Sequence, residues 1–369
     1  MHINQTFDSG NILVKAIAKN SATLEIRTDT NSEFKQWFHF NLNGEVGTSY
    51  EFVITNAAEC SYEKGWEDYQ VAASYDGEHW FRVDTRYENK QLTFKHTLEH
   101  NSISFAYFAP YSYQRHLQLV HNAQLSELCK HQVIGQTVQG RNMDLLVIGN
   151  SSNQPIWITA RQHPGESMAE WCAEGMIEQL LDEDNAVSRQ LLSKFCFYIV
   201  PNMNPDGSVN GNLRSNYAGA NLNREWMEPS LESSPEVFHV RKMMQETGIA
   251  AYLDLHGDEG LPYIFVAGCE GNPSYNTEIA KLESAFSASL MAINPDFQTE
   301  YGYPKDEPGK ANLTVASNWV GENFNCLALT LEMPFKDNAN LPNIEMGWSP
   351  ERSYILGGSL LSALFQTLN

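Results

Sequence analysis

The chain has 369 residues, 42% hydrophobic and only 19% charged, which is enough apolar material for a large core and more chain than one typical domain uses. Forty-five acidic residues against 24 basic ones give a formal net charge of −21, which argues against a phosphate-backbone binder, because that interaction depends on Lys and Arg. No basic segment followed by an apolar stretch opens the chain and no run of about 18 apolar residues occurs, so a soluble cytoplasmic protein without nucleic-acid or membrane partners is expected.

Residues 1 to about 110 hold short alternating stretches, among them Thr23 to Arg27, Tyr50 to Ile54 and Gln91 to Phe94, separated by turn-rich pieces such as NLNGEVG and SYDGEHW. That pattern predicts a small antiparallel β-sandwich whose aromatic residues, including Trp37, Trp66, Trp80 and Phe81, form its core. From RHLQLVHNAQLSELC onward the period changes, with Leu117, Leu119, Val120, Leu125 and Leu128 near helical spacing. We therefore expect two domains, 1–112 and 113–369. The six cysteines lie far apart and read as buried free thiols rather than a disulfide or metal framework.

In the second region the apolar runs MDLLVIG, PIWITA, FCFYIVP, AAYLDLH, YIFVAG and CLALTLEM alternate with helical stretches such as MAEWCAEGMIEQLL and SSPEVFHVRKMMQE. Strands this apolar, separated by helices, imply an α/β/α domain with a mixed, mostly parallel sheet buried on both faces. Ligands of such sheets bind beyond the carboxyl ends of the strands. The unusual polar residues sit there: His163 and Glu166 after PIWITA, Asn202, Asn204 and Asp206 after FCFYIVP, His256 after AAYLDL, and Glu332 after CLALTL.

Two chemistries can be read at HPGES. His163 and Glu166, separated by the turn-forming Pro164-Gly165, could ligate one metal ion, with His256 as the remote third ligand and Glu332 as the base for a water; two His and one Glu is a standard catalytic zinc set. Alternatively, Gly165-Glu166-Ser167-Met168-Ala169 is a loose nucleophile elbow; it lacks the final Gly, and Ser167 is equally well the start of a helix. The helical H-E-x-x-H pattern is absent.

HPGE (163–166), NMNPDG (202–207), GNLRSNYAGANLNREW (211–226), DLHGDE (254–259) and TLEMPF (330–335) together resemble the ordered motif set of zinc carboxypeptidases of the carboxypeptidase A type. The resemblance is strongest to the cytosolic carboxypeptidase branch, whose eukaryotic members trim glutamate from tubulin tails. GWEDYQVAASYDGEHWFRVDTRY and FAYFAPYSYQRH are similar to the β-sandwich that precedes that branch's catalytic domain.

This resemblance implies one zinc ion per chain held by His163, Glu166 and His256, with Glu332 as the general base that takes a proton from zinc-bound water. It implies that Arg214 polarises the scissile carbonyl and that Asn223 and Arg224 grip the terminal carboxylate of a peptide or protein substrate. Asn221 stands where the branch carries an acidic residue that orients a zinc-bound His; Tyr301 and Tyr303 are candidates for a substrate-clamping tyrosine, and Lys310 reads as a solvated loop lysine. The same residues would also serve a small-amide deacylase, and the fold alone a non-catalytic module that binds C-terminal peptides.

Overall fold

The computed structural model describes residues 1–368. Ten strands form two five-stranded sheets in the N-terminal region. One runs β1 (His2–Asn4), β4 (His39–Asn43), β10 (Ser102–Ala106), β6 (Val71–Ser74), β7 (Phe81–Val83) and is antiparallel throughout. The other runs β2 (Leu13–Ile17), β3 (Ser21–Glu25), β5 (Ser49–Ile54), β9 (Gln91–Thr97), β8 (Thr85–Glu88). Period-2 alternation turns Tyr50, Phe52 and Ile54 inward, and Phe52 stacks on Phe94 of the neighbouring strand at 5.0 Å. One pairing departs from the antiparallel expectation: β3 and β5 are parallel, because the chain crosses to the opposite sheet as β4 and returns in the same direction.

Seven further strands form one sheet, ordered β11 (Cys129–Gln136), β12 (Asn142–Ile148), β14 (Phe195–Val200), β13 (Gln154–Ala160), β15 (Ala251–Asp258), β17 (Leu327–Pro334), β16 (Phe265–Ala267). The four central strands are parallel, and β11, β12 and β16 join antiparallel at the flanks. Alternate residues of the central strands feed two cores. Ile156, Ile158 and Leu253 pack with α2 (Ser167–Leu181), α6 (Thr277–Ile293) and α8 (Pro350–Leu368), while Trp157, Tyr252 and Ala328 pack with α5 (Pro235–Thr247) and α7 (Ala316–Phe324). The result is the expected α/β/α sandwich, with short helices α3 (Ala186–Leu192) and α4 (Pro205–Asn210) in its connections.

Helix α1 spans Tyr113–Ala123, opened by Ser112, whose hydroxyl accepts from Arg115 N at 3.1 Å. It stops short of the predicted helical stretch: a tight turn follows, Leu125 is 82% exposed, and β11 begins at Cys129. The edge strand β11 itself escaped the reading because most of it is half-buried or exposed. All six cysteines are free and buried, as expected. Among the described residues no helix is long and apolar enough to cross a membrane.

The first of these cores continues into the β-sandwich. Tyr107 stacks on Phe335 at 4.5 Å, and the Arg82 guanidinium donates to the carbonyls of Phe335 at 2.9 Å and Trp348 at 3.1 Å.

Candidate functional site

Parallel strands β13, β15 and β17 end side by side, and their last residues and following turns set the site. His256 on β15 is the direct register partner of Glu332 on β17, so two sequence-distant residues become neighbours by strand pairing alone. After β13 the chain turns at Arg161, in the left-handed region at φ 59°, and runs through HPGE into α2. Gly165 is required there because a Cβ would lie 3.0 Å from Leu213 O, whose carbonyl accepts from Gly165 N at 2.8 Å. At Gly257 a Cβ would meet Met168 Sδ at 2.5 Å, so a larger residue there would displace the Met168 side chain.

Within this frame His163 Nδ1 lies 2.7 Å from Glu166 Oε1, and His256 Nδ1 lies 2.8 Å from Glu166 Oε2. Their opposite ring nitrogens are occupied by oxygens: His163 Nε2 lies 3.0 Å from Asn221 Oδ1, and His256 Nε2 lies 2.9 Å from Asp254 Oδ2. The tautomer in which each Nε2 donates outward to those oxygens leaves both Nδ1 lone pairs facing one carboxylate, an arrangement that a cation between them would stabilise. One ligand atom from each of the three residues fits within 4.8 Å of the others. Two imidazoles and a carboxylate beside an open cleft fit zinc, which takes such a set and keeps one position free.

Asp254 is fixed in turn by Thr159 Oγ1 at 2.7 Å and Gln162 Nε2 at 2.6 Å, and Trp226 Nε1 holds Gln162 at 2.9 Å. The motif reading passed over Asp254, although strand alternation places it on the same face as His256, two residues on. Asn221 does face His163, as the resemblance implied for that position.

Burial sets the electrostatics. It lowers His163 to about 4, with the Arg214 charge adding to the effect. Burial alone would raise Glu166, but the charges and hydrogen bonds of His163 and His256 hold it below the usual carboxylate range. Burial pushes Glu332 well above that range; Glu166 and Asp258 add to the rise and His256 opposes it. Glu332 Oε1 accepts from the Tyr303 hydroxyl at 3.1 Å, while the buried Oε2 has no hydrogen-bond partner among the described residues.

The site opens into a cleft of about 1210 Å³, lined also by Arg214, Asn223, Arg224 and Tyr303. The Arg214 guanidinium lies over the rings of Phe34 at 5.6 Å and Tyr62 at 5.7 Å, both from the β-sandwich. Asn223 is buried, its Oδ1 accepting from Ala316 N at 2.8 Å, and the exposed Arg224 donates to Asn223 O at 2.6 Å. Residues 61–65 of the sandwich form one wall of the cleft, a contribution that motif reading in the second region had no means to find.

Other candidates lie elsewhere. Asn202 bonds Glu170, Asn204 caps α4 by accepting from Gly207 N, and Asp206 pairs with Arg141, so all three brace the scaffold. Ser167 opens α2 and donates to Ala109 O at 2.8 Å, which leaves no serine nucleophile there. Tyr301 stacks on Tyr263, and Lys310 is exposed outside the cleft lining.

The zinc carboxypeptidase family model matches residues 113–356, and the cytosolic carboxypeptidase N-terminal domain model matches residues 3–108. The chain is 46% identical to the metallo-carboxypeptidase of Burkholderia cenocepacia, with a TM-score of 0.96 over 99% of this chain and 98% of that one. It is 47% identical, also with a TM-score of 0.96 and with the same coverage, to a Pseudomonas aeruginosa metallo-carboxypeptidase solved in complex with (2-guanidinoethylmercapto)succinic acid. Human cytosolic carboxypeptidase 1 is 30% identical over 323 residues, which cover 73% of this chain and only 26% of that much longer protein. On this sequence and structural likeness the chain belongs to the zinc carboxypeptidase family and is a metallocarboxypeptidase, a peptidase hydrolase.

Proposed function

We propose that the protein is a cytoplasmic enzyme that binds one zinc ion per chain through His163, Glu166 and His256 and hydrolyses the C-terminal peptide bond of peptides or proteins. Residues 1–112 form its β-sandwich domain and 113–369 its catalytic domain. The observation that carries this reading is the convergence of both histidine Nδ1 atoms on the Glu166 carboxylate, at 2.7 and 2.8 Å, at the floor of a cleft that also presents Glu332 and two arginines.

When bound, zinc supplies Lewis-acid activation of a water and of the scissile carbonyl. The positive charge that a bound metal would add beside it favours the ionised form of Glu332, whose unpartnered Oε2 would then take a proton from water and return it to the leaving amine. Arg214 faces the carbonyl oxygen and stabilises the negative charge that develops on it. Arg224, with Asn223, pairs with the terminal carboxylate; an internal peptide would leave the guanidinium unmatched, which selects for a free C-terminus.

Replacing Glu332 by Gln tests the assignment, because the amide has nearly the same shape and cannot act as a base. Turnover should fall by roughly 10²–10⁴-fold while zinc content stays at one per chain. Undiminished hydrolysis by that variant would reject the role of Glu332.

A further inference from the structure

Arg214 sits on a loop that the β-sandwich holds from both ends. Asp29 is buried, and its carboxylate accepts three consecutive backbone N–H groups: Oδ1 takes Leu213 N at 2.6 Å, and Oδ2 takes Arg214 N at 2.8 Å and Ser215 N at 2.9 Å. Only an ionised carboxylate has the oxygens and lone pairs to satisfy three converging donors without presenting a donor of its own. On one side Asn212 Oδ1 accepts from Thr30 N at 3.0 Å, and on the other the Ser215 hydroxyl donates to Ser32 Oγ at 2.9 Å.

The segment that supplies Asp29 closes on itself through Asp29 N donating to Phe34 O at 2.7 Å, and its far end lays the Phe34 ring under the Arg214 guanidinium. One short turn of the sandwich thus holds Arg214 by its backbone at one end and by its side chain at the other. A free arginine side chain samples many rotamers, and an oxyanion donor is effective only when its place is set before the reaction.

We propose that Asp29 is a positioning residue for Arg214, so that the β-sandwich completes the catalytic site rather than merely adjoining it. The proposal rests on the role given to Arg214 in carbonyl polarisation. Asp29 acts through the loop 213–215 and touches no substrate.

The test is a double-mutant cycle on the full-length, zinc-saturated enzyme with a C-terminally free peptide, using Asp29→Asn, Arg214→Ala and the pair. Arg214→Ala should lower kcat by roughly 10²–10³-fold. Asp29→Asn, which sets an amide N–H₂ or a single oxygen against the three donors, should lower kcat by about 10–100-fold in the presence of Arg214, with KM little changed. In the Arg214→Ala background the same substitution should change kcat by less than about 2-fold, because coupled residues are not additive.

Equal losses in both backgrounds, or no loss beside an intact Arg214, would overturn the proposal. A full kcat in Arg214→Ala would instead remove the role of Arg214, a distinct result. Should Asp29→Asn not fold, Phe34→Leu keeps the carboxylate and most of the apolar volume; it must reproduce the background-dependent loss of kcat for the sandwich to retain its positioning role.

Discussion

Two buried clusters of histidine and carboxylate lie one helical turn apart around the start of α2, Glu166 belonging to one and Glu170 to the other. In the second, both His116 nitrogens and all four carboxylate oxygens are engaged: His116 Nδ1 lies 2.7 Å from Glu170 Oε1 and Nε2 lies 3.1 Å from Asp144 Oδ2, while His131 Nε2 lies 2.7 Å from the other Asp144 oxygen. Glu170 Oε2 also accepts from Arg161 at 2.7 Å and Asn202 at 3.0 Å. In the first, two imidazoles aim the same nitrogen at one carboxylate and the cluster opens on a large cleft. Residue type is nearly the same in both. What separates a candidate metal centre from a structural network is the direction of the lone pairs and the presence of an open face. Arg161 ties the two together, donating to Glu170 on one side and to Pro164 O at 2.9 Å on the other.

The comparison is broken most directly by removing metal. A chelator should reduce peptidase activity to background, and zinc should restore it; activity that survives complete demetallation would sink the assignment of the first cluster. Zinc at about 100 times its Kd should also raise unfolding stability by about 2.7 kcal/mol, since it binds only the folded site. His163→Ala should abolish that increment and His116→Gln should retain it, as read by denaturant melts with and without zinc. A zinc increment lost in both variants would mean that the clusters are not distinct.

A smaller effect is expected at the cleft's other charge. Arg224→Gln removes a charged donor from the proposed carboxylate clamp, a loss of about 3 kcal/mol or roughly 100-fold in kcat/KM. The diagnostic measurement is the ratio of cleavage between a peptide acid and its C-terminal amide, which should collapse toward unity in the variant. An unchanged ratio would leave Arg224 without a role in substrate selection.

How much of this was legible follows from where each signal lives. Apolar runs of strand length gave the central strands, and the residues just past them gave His163, Glu166, His256 and Glu332, because in a parallel sheet the chain itself delivers these positions to one edge. Asn223 and Arg224 were readable only through the motif resemblance. Asp29, Phe34 and Tyr62 were not readable at all, since they reach the cleft through the packing of one region on another, about 180 residues away in the chain for Asp29 and Arg214, and no periodicity encodes that docking. The His116 network was invisible for the same reason: its members come from α1, α2, β11, β12 and the turn after β13. Helix α1 was read too long because Leu125 and Leu128 continue its spacing, yet Leu125 finds no core to face.

The closed cluster makes a prediction of its own. Burial alone would lower His116, but its hydrogen bonds to Asp144 and Glu170 and their charges carry it up to about 9. An unfolded histidine titrates near 6.5, so the folded state binds this proton more tightly than the unfolded one. The stabilisation is therefore fully present below about 6.5 and is lost as pH rises through about 9, amounting to about 3 kcal/mol across that window. Denaturant melts at saturating zinc should show stability falling over this range in the native protein. In His116→Gln, which starts less stable because Asp144 and Glu170 lose a charged partner, the fall over the same range should be shallower by about that amount, the remainder coming from the buried cysteines and Glu236, whose folded forms also hold their protons more tightly. A slope as steep in the variant as in the native protein would assign the titration wholly to other groups, and the closed cluster would then hold its histidine neutral.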